Sequence, residues 1–401
     1  MEAIFGFILL LFGYSVVKAI LRQGARKVKE VVTGKETYFG PAQLKFVDEK
    51  LEDSDIVFKK IMFRGAIPVP RTMRVAFSVS AFDSTERDEG LTPIISMIES
   101  VQESETRCFG LSNEIGSTDE GDTFTDWVQL GAISPDLIQG PASGNRNITI
   151  LVRMFNVDDA PTINAGFTAG DGEVILAEEL TFEHVFTEKG YREEAKDREE
   201  AQALSLKVGV AVAMADGSLD DSEGQVLKDW IIREISTYSE ETSQRLKTLF
   251  NDALKEGFTL AQSGELALSP LVDRLAEIGE KKTKYDAVEL CFDVMAADGV
   301  ADIEEMAVIR RVAEALDLDM DEIEKMREGV TLNLSASLST EAGLESLVGL
   351  EGSWSEEKKR KHLRTEFQKW SNRLNSLSEG DEREAAQAML DNIASLRKKY
   401  A

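Results

Sequence analysis

The chain has 401 residues, 30% of them charged, and its 46 Lys and Arg against 73 Asp and Glu leave a net charge of −27. That length exceeds one ordinary core and calls for two or three domains, while the acidic balance argues against a nucleic-acid partner and favours cations or basic protein surfaces. Two distant cysteines, Cys108 and Cys291, exclude a disulfide scaffold or cysteine-rich zinc site and suit a reducing compartment; two histidines, His184 and His362, leave little material for histidine chemistry.

Residues 1–30 read as a transmembrane anchor with a basic flank. Ala3 to Val17 carries no charge, Lys18 interrupts, and Ala19, Ile20 and Leu21 continue the apolar run. With Lys18 snorkelling, about 19 residues are available against the roughly 20 that a spanning helix needs. Arg22, Arg26, Lys27 and Lys29 follow, whereas only Glu2 precedes the run. The asymmetry predicts an inner-membrane, single-pass protein with the bulk of the chain in the cytoplasm. A cleaved leader would carry its positive charge before the apolar run and a small-residue site after it, and neither is present.

Residues 36–188 change character: Gly, Pro, Ser, Thr and Asp punctuate short runs of β-branched and aromatic residues. Strands are expected at Gln43–Val47, Ile56–Phe63, Met73–Phe82, Ile94–Ile98, Trp127–Leu130, Ile148–Phe155 and Val174–Phe186. Val75, Phe77, Val79 and Ala81 fall on one face, and the run from Ile148 is apolar enough to be buried on both. Regularly spaced turns between so many short strands point to an all-β sandwich. Its acidic loops, Asp83 to Glu89, Asp119 to Asp122, Asp158-Asp159 and Asp171, read as solvated turns, and protein interaction is its default role.

Residues 190–330 read as an all-helical domain opened by the charged stretch from Gly190 to Gln202. The segment from Leu204 to Met214 alternates like a strand, but Tyr285 to Met295, which aligns with it, has helical spacing, so both are expected to be helices. Each ends in one acidic phrase: residues 215–223 read ADGSLDDSE and residues 297–305 read ADGVADIEE, an offset of 82. Gly217 and Gly299 suit the left-handed residue that ends a helix. Asp220 and Asp302 suit N-caps of the next helix, with Glu223 and Glu305 three residues on as in a capping box.

Capping does not explain Asp216 and Asp298. A carboxylate in the last helical turn faces the negative end of the macrodipole, which disfavours it by roughly a few tenths of a kcal/mol or more. The same unfavourable residue in both copies implies a role. Six acids, Asp216, Asp220, Glu223, Asp298, Asp302 and Glu305, are the candidate metal ligands. Carboxylates without His or Cys suit a hard divalent cation, Ca2+, Mg2+ or Mn2+, over zinc. The phrase is not an EF-hand, because the sixth position from Asp216 is Asp221 and the twelfth is Leu227.

The duplicated Ala-Asp-Gly-x-x-Asp-x-x-Glu, set in apolar helices, resembles the TerB-like domain of tellurite-resistance proteins. The resemblance implies a helical bundle of two similar halves, metal binding through the six matching acids, and a place in bacterial chemical-stress or phage-defence systems at the membrane. Some co-chaperones place such a domain between a membrane helix and a J domain, but this chain has no His-Pro-Asp tripeptide.

Residues 331–353 read as a linker and 354–401 as an antiparallel helical hairpin. Leu363, Phe367, Trp370, Leu374 and Leu377 give one seam, and Ala386, Met389 or Leu390, Ile393, Leu396 and Tyr400 the other. Gly380 breaks them, with Asp381 and Glu384 as an expected cap. Lys369-Trp370 and Met389 to Arg397 resemble a short module at the ends of other TerB-like proteins. The basic run from Lys358 to Arg364 reads first as a solvated helix face.

The expected whole is a multidomain α+β protein: transmembrane helix, all-β sandwich, TerB-like helical bundle and hairpin. Its expected function is that of a non-enzymatic, cation-binding scaffold with protein partners, tethered to the membrane and open to oligomerisation. Two alternatives stand beside it. One is a metal-dependent hydrolase, although the sequence has no nucleophile elbow, P-loop or HExxH motif. The other is a structural assembly protein whose acidic turns only cap helices.

Overall fold

The computed structural model describes residues 38–51, 54–103, 106–215, 217, 219–297, 303–334, 344–345, 348–350, 352, 354–377 and 380–400. The expected anchor lies outside these residues; among the described ones, no helix is long and apolar enough to cross a membrane. The chain divides into two compact units, one ending at Glu194 and one beginning at Ala195.

The first unit is all-β. Its strands are β1 (Gln43–Lys50), β2 (Val57–Ala66), β3 (Met73–Asp83), β4 (Thr92–Pro93), β5 (Ile95–Ser96), β6 (Gly110–Thr118), β7 (Thr123–Ile133), β8 (Ile138–Gln139), β9 (Gly144–Asn156), β10 (Thr162–Asn164), β11 (Phe167–Ala169) and β12 (Val174–Phe186). One antiparallel sheet runs β1-β2-β7; the larger runs β12-β9-β3, with β4 and β6 both pairing with β3. Ile61, Phe63, Phe124 and Leu130 of the first sheet join Val75, Phe77, Ile148 and Val152 of the second in one apolar cluster. Each of the seven expected runs overlaps a strand, while β6 and the β10–β11 hairpin were not expected.

The outer faces of β3 and β9 are buried as well. Ser78, Ser80, Thr149 and Arg153 are all inaccessible. The β10–β11 turn approaches there: Phe82 stacks on Phe167 at 4.7 Å between ring centroids, and Arg153 Nη2 donates to Ser80 Oγ at 2.9 Å and to the Gly166 carbonyl. Gly166 has φ +80, and a Cβ there would lie 2.6 Å from Phe82. At the end of β3, buried Asp83 accepts from Arg146 Nε at 2.6 Å and from Thr85 N at 2.8 Å, so the charge is both paired and hydrogen-bonded.

The second unit is helical: α1 (Tyr191–Ala213, whose first turn precedes the division), α2 (Asp221–Ile235), α3 (Glu240–Gln262), α4 (Leu268–Ile278), α5 (Lys281–Met295), α6 (Ile303–Ala315), α7 (Met320–Leu334), α8 (Glu356–Ser376) and α9 (Asp381–Lys399). The 82-residue shift carries the last residue of α1, Ala213, onto Met295, the last of α5; it carries Asp221, the first of α2, onto Ile303, the first of α6. Burial repeats with it: Leu206, Val208, Val210 and Val212 are buried, and so are Val288, Leu290, Phe292 and Val294. The strand-like alternation in α1 is that of a helix enclosed on nearly every side, since Ser205, Gly209 and Ala213 are buried too. Gly209 marks a close helix crossing: a Cβ there would stand 2.9 Å from Leu227 of α2.

The hairpin is not a separate body. Leu363, Trp370, Met389, Ile393 and Leu396 belong to the same apolar cluster as Leu227, Val288 and Ile309. Part of the expected linker joins that core: Val348 and Leu350 are buried, and the Val348 carbonyl lies 2.7 Å from His362 Nε2. At the start of α9 the cap position is held by Gly380, whose carbonyl accepts from Arg383 N and Glu384 N, rather than by Asp381.

Both cysteines are free thiols. Complete burial pushes the Cys291 thiol up to about 12. Cys108 is also raised, chiefly by burial, but is only half-buried. Iodoacetamide at pH 8 is therefore expected to leave Cys291 unmodified until the helical unit unfolds, as checked by peptide mass mapping with and without urea. Rapid native labelling of Cys291 would contradict its placement in the core.

Candidate functional site

The first acidic turn follows from its helix ends. After α1, Gly217 adopts φ +94, a conformation costly for any residue with a Cβ, and its N–H returns to the Met214 carbonyl at 3.1 Å. Asp220 then caps α2: Oδ1 accepts from Ser222 N at 2.8 Å, while Asp220 N donates to Glu223 Oε2 at 2.7 Å. This is a complete capping box. The Ser222 hydroxyl first, and its N–H second, hold the Asp220 carboxyl below the usual carboxylate range. Asp220 is exposed and Glu223 buried.

In the second turn, α5 closes through Ala296, whose N–H donates to the Phe292 carbonyl at 3.0 Å, and α6 starts at Ile303. Glu305 is buried at 5% exposure, as Glu223 is at 6%, so the third residue of α6 is a buried glutamate like that of α2. Of the six candidate ligands, Asp220, Glu223 and Glu305 are thus placed, and Asp216, Asp298 and Asp302 lie outside the described residues. Among the described residues no group of three His, Cys, Asp or Glu is arranged to hold a metal.

One carboxyl near the second turn escaped the sequence reading. Burial, and then the charge of Glu289, raise the pKa of Asp293 near the end of α5, against an opposing pull from Arg233 of α2. Burial is thus the main reason that this carboxyl holds its proton more tightly than an exposed one.

A cluster of charges between α7 and α8 also went unread. Glu324, Arg327 and Glu328 of α7 meet Glu366 and Lys369 of α8. Arg327, Glu328 and Glu366 are all buried, and Arg327 Nη2 lies 3.6 Å from Glu366 Oε2. The available signal was position: Glu366 sits on the hairpin seam between Leu363 and Trp370, where an apolar residue is expected.

Residues 203–328 match the model of the family described as tellurite resistance protein TerB. No curated protein and no solved structure matches the chain. The TerB-like domain takes in both acidic turns and most of α1 to α7, while the β unit and the α8–α9 hairpin lie beyond it.

Replacing Glu223 by Ala removes one capping-box bond from a buried carboxylate. The expected cost is about 1–2 kcal/mol of stability, measured by urea unfolding followed through the far-ultraviolet helical signal. A cost near zero would mean that the bond to Asp220 N contributes nothing.

Proposed function

We propose that the chain is a membrane-tethered, non-enzymatic scaffold whose TerB-like domain binds a divalent cation through its paired acidic turns, within a bacterial stress-response or phage-defence assembly. The observation that carries this reading is the in-register duplication. Both copies place the acidic phrase between a buried helix and a second helix whose third residue is a buried glutamate. The ligand set is oxygen-only, which favours Ca2+, Mg2+ or Mn2+. The apolar run before Arg22 and its basic flank support a single inner-membrane span with the bulk of the chain cytoplasmic. The β unit, as a sandwich, and the hairpin offer surfaces to protein partners or further copies.

The test is calorimetric titration of the detergent-solubilised full chain with each of the three cations, paired with a melting curve. Heat of binding and a higher melting temperature with at least one cation are expected. No heat and no shift with any of them would remove the cation from this reading. Extraction by alkaline carbonate would remove the tether. A second reading is favoured by the Asp220–Glu223 capping box: acids that serve helix ends alone, in a purely structural assembly protein.

A further inference from the structure

We propose that the groove between α8 and α9 is a binding site for a phosphate-bearing ligand. The groove has a volume of about 410 Å³ and is lined by Arg360, Arg364, Phe367, Ala394, Arg397 and Lys398. Four cationic side chains therefore face one concavity, in a protein whose net charge is −27. Residues 355–401 carry 11 Lys and Arg against 8 Asp and Glu, reversing the balance of the chain.

The convergence follows from helix geometry. Arg360 and Arg364 are one turn apart on α8 and share a face, an arrangement of like charges that is unfavourable in an isolated helix. Arg397 and Lys398 come from the facing helix, and the Arg397 guanidinium is held 4.8 Å over the Phe367 ring. Neighbouring cations have other partners: Lys358 stacks on Trp354 at 3.9 Å, and Lys399 bonds Glu345 at 2.6 Å. Among the described residues no carboxylate lines the groove. The ion pair at its edge, Glu356 with Arg360 at 3.8 Å, is loose and exposed. An anion in the groove would relieve this mutual repulsion.

Guanidinium forks favour phosphate and carboxylate oxygens, and the Phe367 and Ala394 floor suits a ligand with a non-ionic body. Size and charge favour a compact phosphate. Fields are screened within about 8 Å at physiological ionic strength, so a small anion senses mainly the four cations. An extended acidic chain or nucleic acid would also meet the surrounding acidic surface.

The site is independent of the acidic turns, so it stands or falls separately from cation binding. Calorimetry on the detergent-solubilised full chain uses inorganic pyrophosphate as the probe. Binding is expected, and Arg364→Gln with Arg397→Gln should weaken it at least tenfold without changing the far-ultraviolet spectrum. Arg311→Gln, a control on α6, should bind as the unmodified protein does. Glycerol 3-phosphate and glycerophosphoglycerol distinguish the sources: preference for the monoester identifies a soluble metabolite, and preference for the diester a lipid headgroup. No binding at millimolar pyrophosphate, equal weakening by the control, or an unweakened double variant would overturn the proposal. Tighter binding of citrate or of a polyglutamate peptide would also overturn it, in favour of carboxylate recognition.

Discussion

Arg327→Met is expected to destabilise the helical unit by about 3–5 kcal/mol, because it strips the partner from buried charge. Arg327 and Glu366 have side-chain exposures of only 9% and 5%, and Glu366 Oε2 lies 3.6 Å from Arg327 without a hydrogen bond of its own. Lys369, at 3.9 Å from Glu366, is too distant to replace Arg327 fully. Adding Glu366→Leu to Arg327→Met should recover part of the loss, since the buried Glu366 charge goes with its partner while Lys369 remains paired with Glu324 and Glu328. Tryptophan fluorescence during urea unfolding reads this, because Trp230, Trp354 and Trp370 all lie in the helical unit. A single substitution costing under about 1 kcal/mol would mean that the cluster behaves as a surface network.

The same cluster sets a pH window. Burial acts to raise the Glu324 carboxyl, but Arg327 and Lys369 outweigh it and hold it below its ordinary value. Its contribution is therefore present above the ordinary carboxylate value of about 4.3 and is lost as pH falls through the lowered folded value. Burial likewise acts to lower the Lys369 ammonium, but Glu328, Glu366 and Glu324 outweigh it and raise it. That contribution is present below about 10.4 and is lost as pH rises through the raised folded value. The melting temperature of the unmodified protein should fall at both extremes, and that of the apolar pair should fall less.

These charges show where sequence reading stops. Periodicity located the hairpin seam because Leu363, Trp370, Ile393 and Leu396 are apolar and repeat. The same logic has no account of Glu328 and Glu366, which are charged by type and buried by the packing of the helical unit. The helix starts after the duplicated phrase were legible to the residue, because capping is local: α2 begins at Asp221 and α6 at Ile303; the preceding helices were expected to run to the Asp-Gly and end at Ala213 and Met295 instead. β6 was not legible, since its sequence GLSNEIGST is polar and only Ile115 and Thr118 are buried. Burial of β9 on both faces was legible from its apolar run, but that of the outer face of β3 at Ser78 and Ser80 was not, because it depends on the approach of the β10–β11 turn. The basic groove was half legible: the run from Lys358 to Arg364 was visible, but its convergence with Arg397 and Lys398 required the antiparallel turn.

The acidic turns divide along the same line, and the division can be measured. Asp220 and Glu223 are engaged in capping, so their replacement is expected to destabilise the protein with or without cation. The capping pattern of the sequence does not call for Asp216 and Asp298, and a charge at a helix carboxyl end is unfavourable by about 0.3–1 kcal/mol. Asp216→Asn with Asp298→Asn should therefore stabilise the metal-free protein slightly. The effect should reverse in the presence of the cation. A ligand bound to the native state alone adds RT ln(1 + [L]/Kd), roughly 2.7 kcal/mol at one hundred times Kd. The unmodified protein should gain that amount, read as a shift in the urea midpoint, and the double variant should gain almost none. Equal gains in both proteins would separate cation binding from these two residues. A slight stabilisation of the variant, with no cation-dependent gain in either protein, would leave capping as the whole role of the repeated phrase.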